Sequence, residues 1–177
     1  MKPIYYGGQE ITDIFMDGNR IKKIWRGNAL VYIWTEPFDF PPPIMNSNNQ
    51  DGIEIISNMG NAYILFRNES RSYGLRAGQY VTVHFPEPRQ ITSLEMLSLN
   101  FETDSDNVGR FSFQASNDNS SWVTLIETTN GYQNTNSWRT YSFENPNYYT
   151  YYRYNFLAGQ GGSATGLPSL KYHGNKE

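Results

Sequence analysis

Few of the side chains that carry catalysis are present in a form that could act. The 177 residues include no cysteine and only two histidines. Thiol nucleophiles and disulfide bonds are therefore excluded. His84 falls mid-strand on the polar parity of Tyr80–Phe85, and His173 lies near the C-terminus. Neither stands in a Gly-x-Ser-x-Gly, His-Glu-x-x-His or phosphate-loop context. Paired carboxylates could cleave glycosidic bonds, yet nothing sets two of the 17 acidic residues together in a cleft. Glu102, Asp104 and Asp106 read as a solvated acidic loop rather than a cation site. The expectation is a protein that is not an enzyme, with no catalytic residue, no cofactor and no metal.

Binding chemistry is better represented. Sugar recognition needs an aromatic face for the apolar side of a pyranose and planar polar groups for its hydroxyls. Three segments mix the two: 67–76, 130–138 and 159–163. Their ligand-binding candidates are Arg71, Tyr73, Arg76, Tyr132 and Trp138, with the Gly-rich third segment shaping a rim. Each has a structural alternative. Trp138 would close the core beside Tyr141 and Phe143, and Arg71 and Arg76 would pair with Glu69 or Glu87.

The elements that must hold these segments are strands. Aromatics make up 16% of the chain and occur with 15 Gly and 9 Pro, a bias toward strands and tight turns. No apolar i, i+3, i+4, i+7 stripe is sustained over three turns. Alternation places Val81, Val83 and Phe85 on one face, Tyr141 with Phe143, and Tyr152, Tyr154 and Phe156 together. Leu94 and Met96 differ in parity from Leu97, Leu99 and Phe101, so a β-bulge is expected near Met96-Leu97. A net charge of −3 with no basic stripe disfavours nucleic acid. No apolar run reaches the length of a membrane span, and the N-terminus lacks the apolar region of a signal peptide. A soluble protein made in the cytoplasm is expected.

Residues 1–35 hold an internal repeat. Gly8-x-x-Ile11-x-x-Ile14-Phe15 recurs as Gly18-x-x-Ile21-x-x-Ile24-Trp25 and as Gly27-x-x-Leu30-x-x-Ile33-Trp34. Each copy reads as a turn and a short strand that needs a neighbour to cover it. So small a unit cannot hide Ile14, Phe15, Ile24, Trp25, Ile33 and Trp34. They either pack on the following domain or form the patch through which the protein joins an assembly, the favoured reading. The stretch 36–52, with Pro41-Pro42-Pro43 and an Asn-rich loop, reads as a semi-rigid linker. A second domain then spans 53–174.

Two resemblances sharpen this reading. The run from Tyr6-Gly7-Gly8 to Leu30-Val31-Tyr32-Ile33-Trp34 resembles the short N-terminal modules of phage virion proteins. The second domain resembles the discoidin family, also called coagulation-factor type C or galactose-binding-like domains. The likeness rests on Tyr80–Phe85 followed by Ile91-Thr92-Ser93-Leu94, on Phe111-Ser112-Phe113-Gln114-Ala115-Ser116-Asn117-Asp118 with Trp122 and Leu125, and on Tyr151-Tyr152-Arg153-Tyr154. The family's early Ala-Phe-Asp-Gly-Asn loop, often a calcium site, is replaced by Ala62-Tyr63-Ile64-Leu65-Phe66. Trp122 is expected to return to the core after a polar turn.

The resemblances imply an all-β fold: an antiparallel jelly-roll sandwich of galactose-binding-like type behind a small N-terminal β-repeat module. Loops at one end of its sheets would meet a glycan. The function they imply is a phage virion structural protein of tail, neck or capsid, located in the virion. It would bind other virion proteins through the N-terminal module and glycans of the host surface or mucus through the sandwich loops. A homo-oligomer is expected, without nucleic-acid or membrane partners. The alternatives are a ligand-free virion decoration and a carbohydrate-binding module of a bacterial glycan-degrading system.

Overall fold

The fold is that of a computed structural model. It describes residues 4–6, 9–11, 15–16, 19–20, 23–26, 29–33, 36–40, 45–67, 73–97, 108–128, 137–159, 164–167 and 169–176, with backbone alone for those up to 36, for Tyr73 and for 164–167. The chain divides into two compact units, one within residues 1–36 and one of Pro37–Lys176.

The first unit is three antiparallel hairpins. Strand β1 (Ile4–Tyr6) pairs with β2 (Gln9–Ile11), β3 (Phe15–Met16) with β4 (Asn19–Arg20), and β5 (Lys23–Arg26) with β6 (Ala29–Ile33). The innermost pairs are Tyr6↔Gln9, Met16↔Asn19 and Arg26↔Ala29, ten residues apart. They bracket Gly7-Gly8, Asp17-Gly18 and Gly27-Asn28, residues suited to two-residue hairpin connections. The strand pairs thus recur with the sequence repeat, at ten-residue spacing.

The second unit is built around one long strand. Its elements are β7 (Glu36–Phe40), β8 (Asn49–Gln50), β9 (Ile53–Ser57), a 3₁₀ turn (Ala62–Phe66), β10 (Tyr73–Arg76), β11 (Tyr80–Leu97), β12 (Val108–Ser116), β13 (Val123–Thr128), β14 (Trp138–Ser142), β15 (Tyr149–Gly159), β16 (Ala164–Leu167) and β17 (Ser169–Lys176). Strand β11 bends at the exposed residues Pro86-Glu87-Pro88. Proline cannot donate to a ladder, so it suits such a corner. Before the corner, β11 pairs with β9 and β15, with one further β15 pair beyond it (Arg89↔Tyr149), giving the layer β8-β9-β11-β15-β12-β13. After it, β11 pairs with β14 and β17, giving the layer β14-β11-β17-β7.

The inner faces of the two layers meet in an aromatic core. Val81, Val83, Phe85, Phe111, Phe113, Ala115, Tyr152, Tyr154 and Phe156 are buried from one layer; Leu94, Met96, Tyr141, Leu170, Tyr172 and Phe40 from the other. Across the gap Phe113 packs on Tyr172 at 4.9 Å and Phe111 on Tyr141 at 5.0 Å between ring centroids. The 3₁₀ turn adds Ala62, Leu65 and Phe66 to the core. The stretch that replaces the family's Asp-rich loop is therefore apolar because it is interior.

Three expectations change. The stretch 36–52 is not a spacer: Glu36–Phe40 is a strand beside β17, and Phe40 and Met45 lie in the core. The bulge is not at Met96-Leu97, since the register of β11 against β17 shifts between Ile91 and Ser93. Ile91, Leu94 and Met96 all face inward. Trp122 does not return to the core; it lies half-buried outside it, 3.9 Å from the guanidinium of Arg153.

Candidate functional site

The strand ends select one end of the sandwich. Leu97 pairs with both Trp138 and Ser169, so the ends of β11, β14 and β17 lie together in one layer. In the other layer Val108 pairs with Gly159 and Phe111 with Thr128. The packing of Phe111 on Tyr141 brings those two sets of ends level. The segments 98–107, 129–136 and 160–163 all start or finish there.

A short ribbon crosses this end. Strand β16 begins a few residues after Gly159 in one layer and ends just before Ser169 in the other, and it pairs with β10 as Tyr73↔Leu167 and Arg76↔Ala164. Leu75 turns inward and is buried. The turn that follows is tied to β15 by Gly78 N donating to the Phe156 oxygen and Phe156 N donating to the Gln79 oxygen. Gly78 has φ +86°, a left-handed conformation in which glycine carries no Cβ penalty. The Asn58 side chain completes the clamp, donating to the Gly78 oxygen at 3.0 Å and accepting from Tyr80 N at 2.9 Å.

Three of the five ligand candidates fall on this end. Arg76 is exposed beside Ala164, and Tyr73 stands at the opposite end of the ribbon. Trp138 opens β14 and is half-buried. Arg71 and Tyr132 lie outside the described residues, as do Glu102, Asp104 and Asp106. Of the assembly candidates, Phe15 opens β3, Ile24 and Trp25 lie in β5 and Ile33 ends β6, whereas Ile14 and Trp34 lie outside the described residues. Glu87 pairs with Arg89 at 3.4 Å.

Trp138 has a neighbour that the sequence did not disclose. The Lys171 ammonium sits 3.7 Å from its ring centroid, a cation–π contact, and 4.0 Å from Glu95. Thr140 donates to the same Glu95 carboxylate at 3.2 Å. His173 lies between Asp39 (2.6 Å) and Glu95 (3.4 Å) on that outer face. The available signal was the outward parity of Lys171 and His173 in the last strand. Their partners come from β7, β11 and β14, which local patterning does not connect.

The outer face of the other layer carries a second polar-aromatic group. Arg153 lies over Tyr80 (4.3 Å) and Trp122 (3.9 Å), donates to Thr82 at 2.8 Å and to Asn119 at 3.2 Å, and Thr82 is buried. Next to it His84 stacks on Tyr151 at 4.2 Å. The turn beyond β12 is held by Asp118, which accepts from Ser120 N (2.8 Å) and Ser121 N (2.7 Å). Those backbone bonds, with the Ser116 hydroxyl, hold its carboxyl well below the usual range. Among the described residues no three His, Asp or Glu side chains gather as a metal site would.

Two antiparallel layers sharing one long strand, with a ribbon at one end, define a discoidin-like sandwich. The family model described as F5/8 type C domain matches residues 55–167, and the chain belongs to that family. A comparison with curated proteins finds no match. Among solved structures, the C-terminal domain of a chitobiase from Bacteroides fragilis is 14% identical, with TM-score 0.58 over 72% of this chain and 97% of that one. A CBM32 module from Clostridium perfringens in complex with GalNAc-β-1,3-galactose is 14% identical, with TM-score 0.55 over 68% and 94%. The family 32 module of NanJ from the same organism, in complex with galactose, is 15% identical, with TM-score 0.52 over 68% and 91%. The sandwich is thus carbohydrate-binding-module-like in fold.

Proposed function

We propose that the protein is a glycan-binding virion component: the sandwich contacts sugars at its loop-bearing end, and the N-terminal hairpin repeat attaches it to other virion proteins. The observation that carries the glycan reading is the placement of Arg76, Tyr73 and Trp138 on one end of the sandwich. An indole offers a flat apolar surface to a pyranose, and arginine offers planar donors to its hydroxyls. Binding, not catalysis, is the chemistry this set performs. The repeat supports the attachment half, because isolated two-stranded hairpins need a covering partner. Copies set side by side in a virion would raise a weak sugar affinity through avidity.

The test is a glycan array probed with the multivalent full-length protein, together with Trp138→Ala, Tyr73→Ala and Arg76→Ala. Binding to one sugar class that at least one substitution abolishes, with the fold retained, supports the reading. No binding by the multivalent protein overturns it. A second reading, a module of a bacterial glycan-degrading system, is favoured by the chitobiase origin of one structural neighbour. The two part on location: the virion reading requires the protein in purified particles, detected by mass spectrometry.

A further inference from the structure

The aromatic core contains hydroxyls that a purely apolar core would not need. Tyr141 and Tyr172 flank Leu94 on the inner face of one layer, since both are its register partners. Tyr154 faces them from β15, and Phe111 packs against both Tyr141 (5.0 Å) and Tyr154 (5.2 Å). Tyr154 and Tyr172 are buried completely, and neither hydroxyl finds a hydrogen-bond partner among the described residues. Burial, and then the nearness of Tyr141 and Tyr172, pushes Tyr154 well above the usual phenol range. The contrast is Tyr152 in the same strand, whose hydroxyl donates to the Arg89 oxygen and accepts from Ile91 N and Asn145 Nδ2. An enclosed hydroxyl without a partner is costly, and phenylalanine would fill the same space without it.

We infer that Tyr154 and Tyr172 form an interior hydration site, binding one water molecule between the two layers. Buried waters take two to four polar partners, and these two phenols supply two. Such a water joins β15 to β17 by hydrogen bonds that no backbone ladder makes. It does so a few residues below Trp138, and so braces the end that carries the loops.

The measurement is water-to-protein NOE spectroscopy on the isotope-labelled full chain, with Tyr154→Phe, Tyr172→Phe and the double variant. A long-lived water signal is expected at Tyr154 and Tyr172, lost in either single variant. Each single variant should lower Tm by about 2–4 °C, as for loss of about 1 kcal/mol in a chain of this size. The double variant should fall no further than the worse single one, because the first change already releases the water. Absence of any long-lived water signal at both residues overturns the inference. So do phenylalanine variants at least as stable as the parent.

Discussion

Gly174 of β17 lies against the backbone of Gln90: a Cβ built on Gly174 would come within 1.9 Å of the Gln90 carbonyl oxygen. Opposite it, the register of β11 slips between Ile91 and Ser93, bringing Ile91 and then Leu94 to the core side. The close approach and the slip are one feature. Glycine is required there for space.

Gly174→Ala should therefore cost about 1–3 kcal/mol, the range for forcing a group into filled space. Gly60→Ala, where a Cβ meets nothing within 4 Å, should stay within about 0.5 kcal/mol. Urea unfolding of both variants makes the comparison. Equal losses would remove the case for a bulge that only glycine permits.

Tyr152 ties the other side of the same corner. Its hydroxyl accepts from Ile91 N at 3.2 Å, and Asn145 Nδ2 donates to the Ile91 oxygen at 2.9 Å. Tyr152→Phe leaves a buried N–H without that acceptor and should cost about 1–3 kcal/mol. Asn145→Ala should overlap with it in a double-mutant cycle, since the two share partners.

Alkali should destabilise the protein through its buried phenols. Burial pushes Tyr152 up to about 12, partly offset by its hydrogen bonds, and raises Tyr154 and Tyr172 well above the usual phenol range. In the unfolded chain these groups ionise near pH 10. Above that pH the unfolded state holds fewer protons than the folded one, so stability present below pH 10 declines as pH rises toward 12. Urea midpoints at a series of alkaline pH values should fall steadily. A flat profile would contradict the burial of all three.

Acid should act through Asp118. Its folded-state carboxyl is held down by Ser120 and Ser121 N–H bonds, so its contribution is present above the ordinary carboxylate range and lost as pH falls below it. Asp118→Ala should lower Tm at neutral pH, and the gap from the parent should narrow below about pH 4. A gap that stays constant would mean the turn does not depend on the charge.

Arg153 offers a check on where ligand does not bind. Arg153→Ala removes the group lying over Tyr80 and Trp122 and uncovers Thr82, which should cost about 1–2 kcal/mol. Arg153→Lys should restore little, because an ammonium lacks the planar fork. Sugar binding by either variant, measured by calorimetry, should match the parent if the loop-bearing end is the site.

Much of the core was legible because alternation is local. Val81, Val83 and Phe85, then Phe111, Phe113 and Ala115, then Tyr152, Tyr154 and Phe156 all face inward as their parity requires. What escaped depends on distant partners. The Ile91–Ser93 slip is set by Gly174 and Tyr152, more than 60 positions away in the chain. Phe40 and Met45 lie beside three prolines that suggest a spacer, and only β17 and Phe66 disclose their burial. Trp122 follows the polar turn that its sequence suggests, but its place on Arg153 depends on the outward parity of β15. At the candidate site the residue types pointed to Trp138 and Arg76, while the company of Lys171 and Glu95 could not be inferred without knowing which strands adjoin β14.

The strand that opens the sandwich and the strand that closes it are neighbours: β7 lies beside β17, with Asp39 and His173 in contact 2.6 Å apart. A domain whose entry and exit adjoin is portable. Its ends can be joined by a short connector and the chain reopened at an exposed turn such as Asp51-Gly52, with little closure entropy to overcome. By the same geometry it can be spliced into a surface loop of an unrelated host protein without prising the host apart, so that its appearance in different molecular settings requires no redesign of its interior.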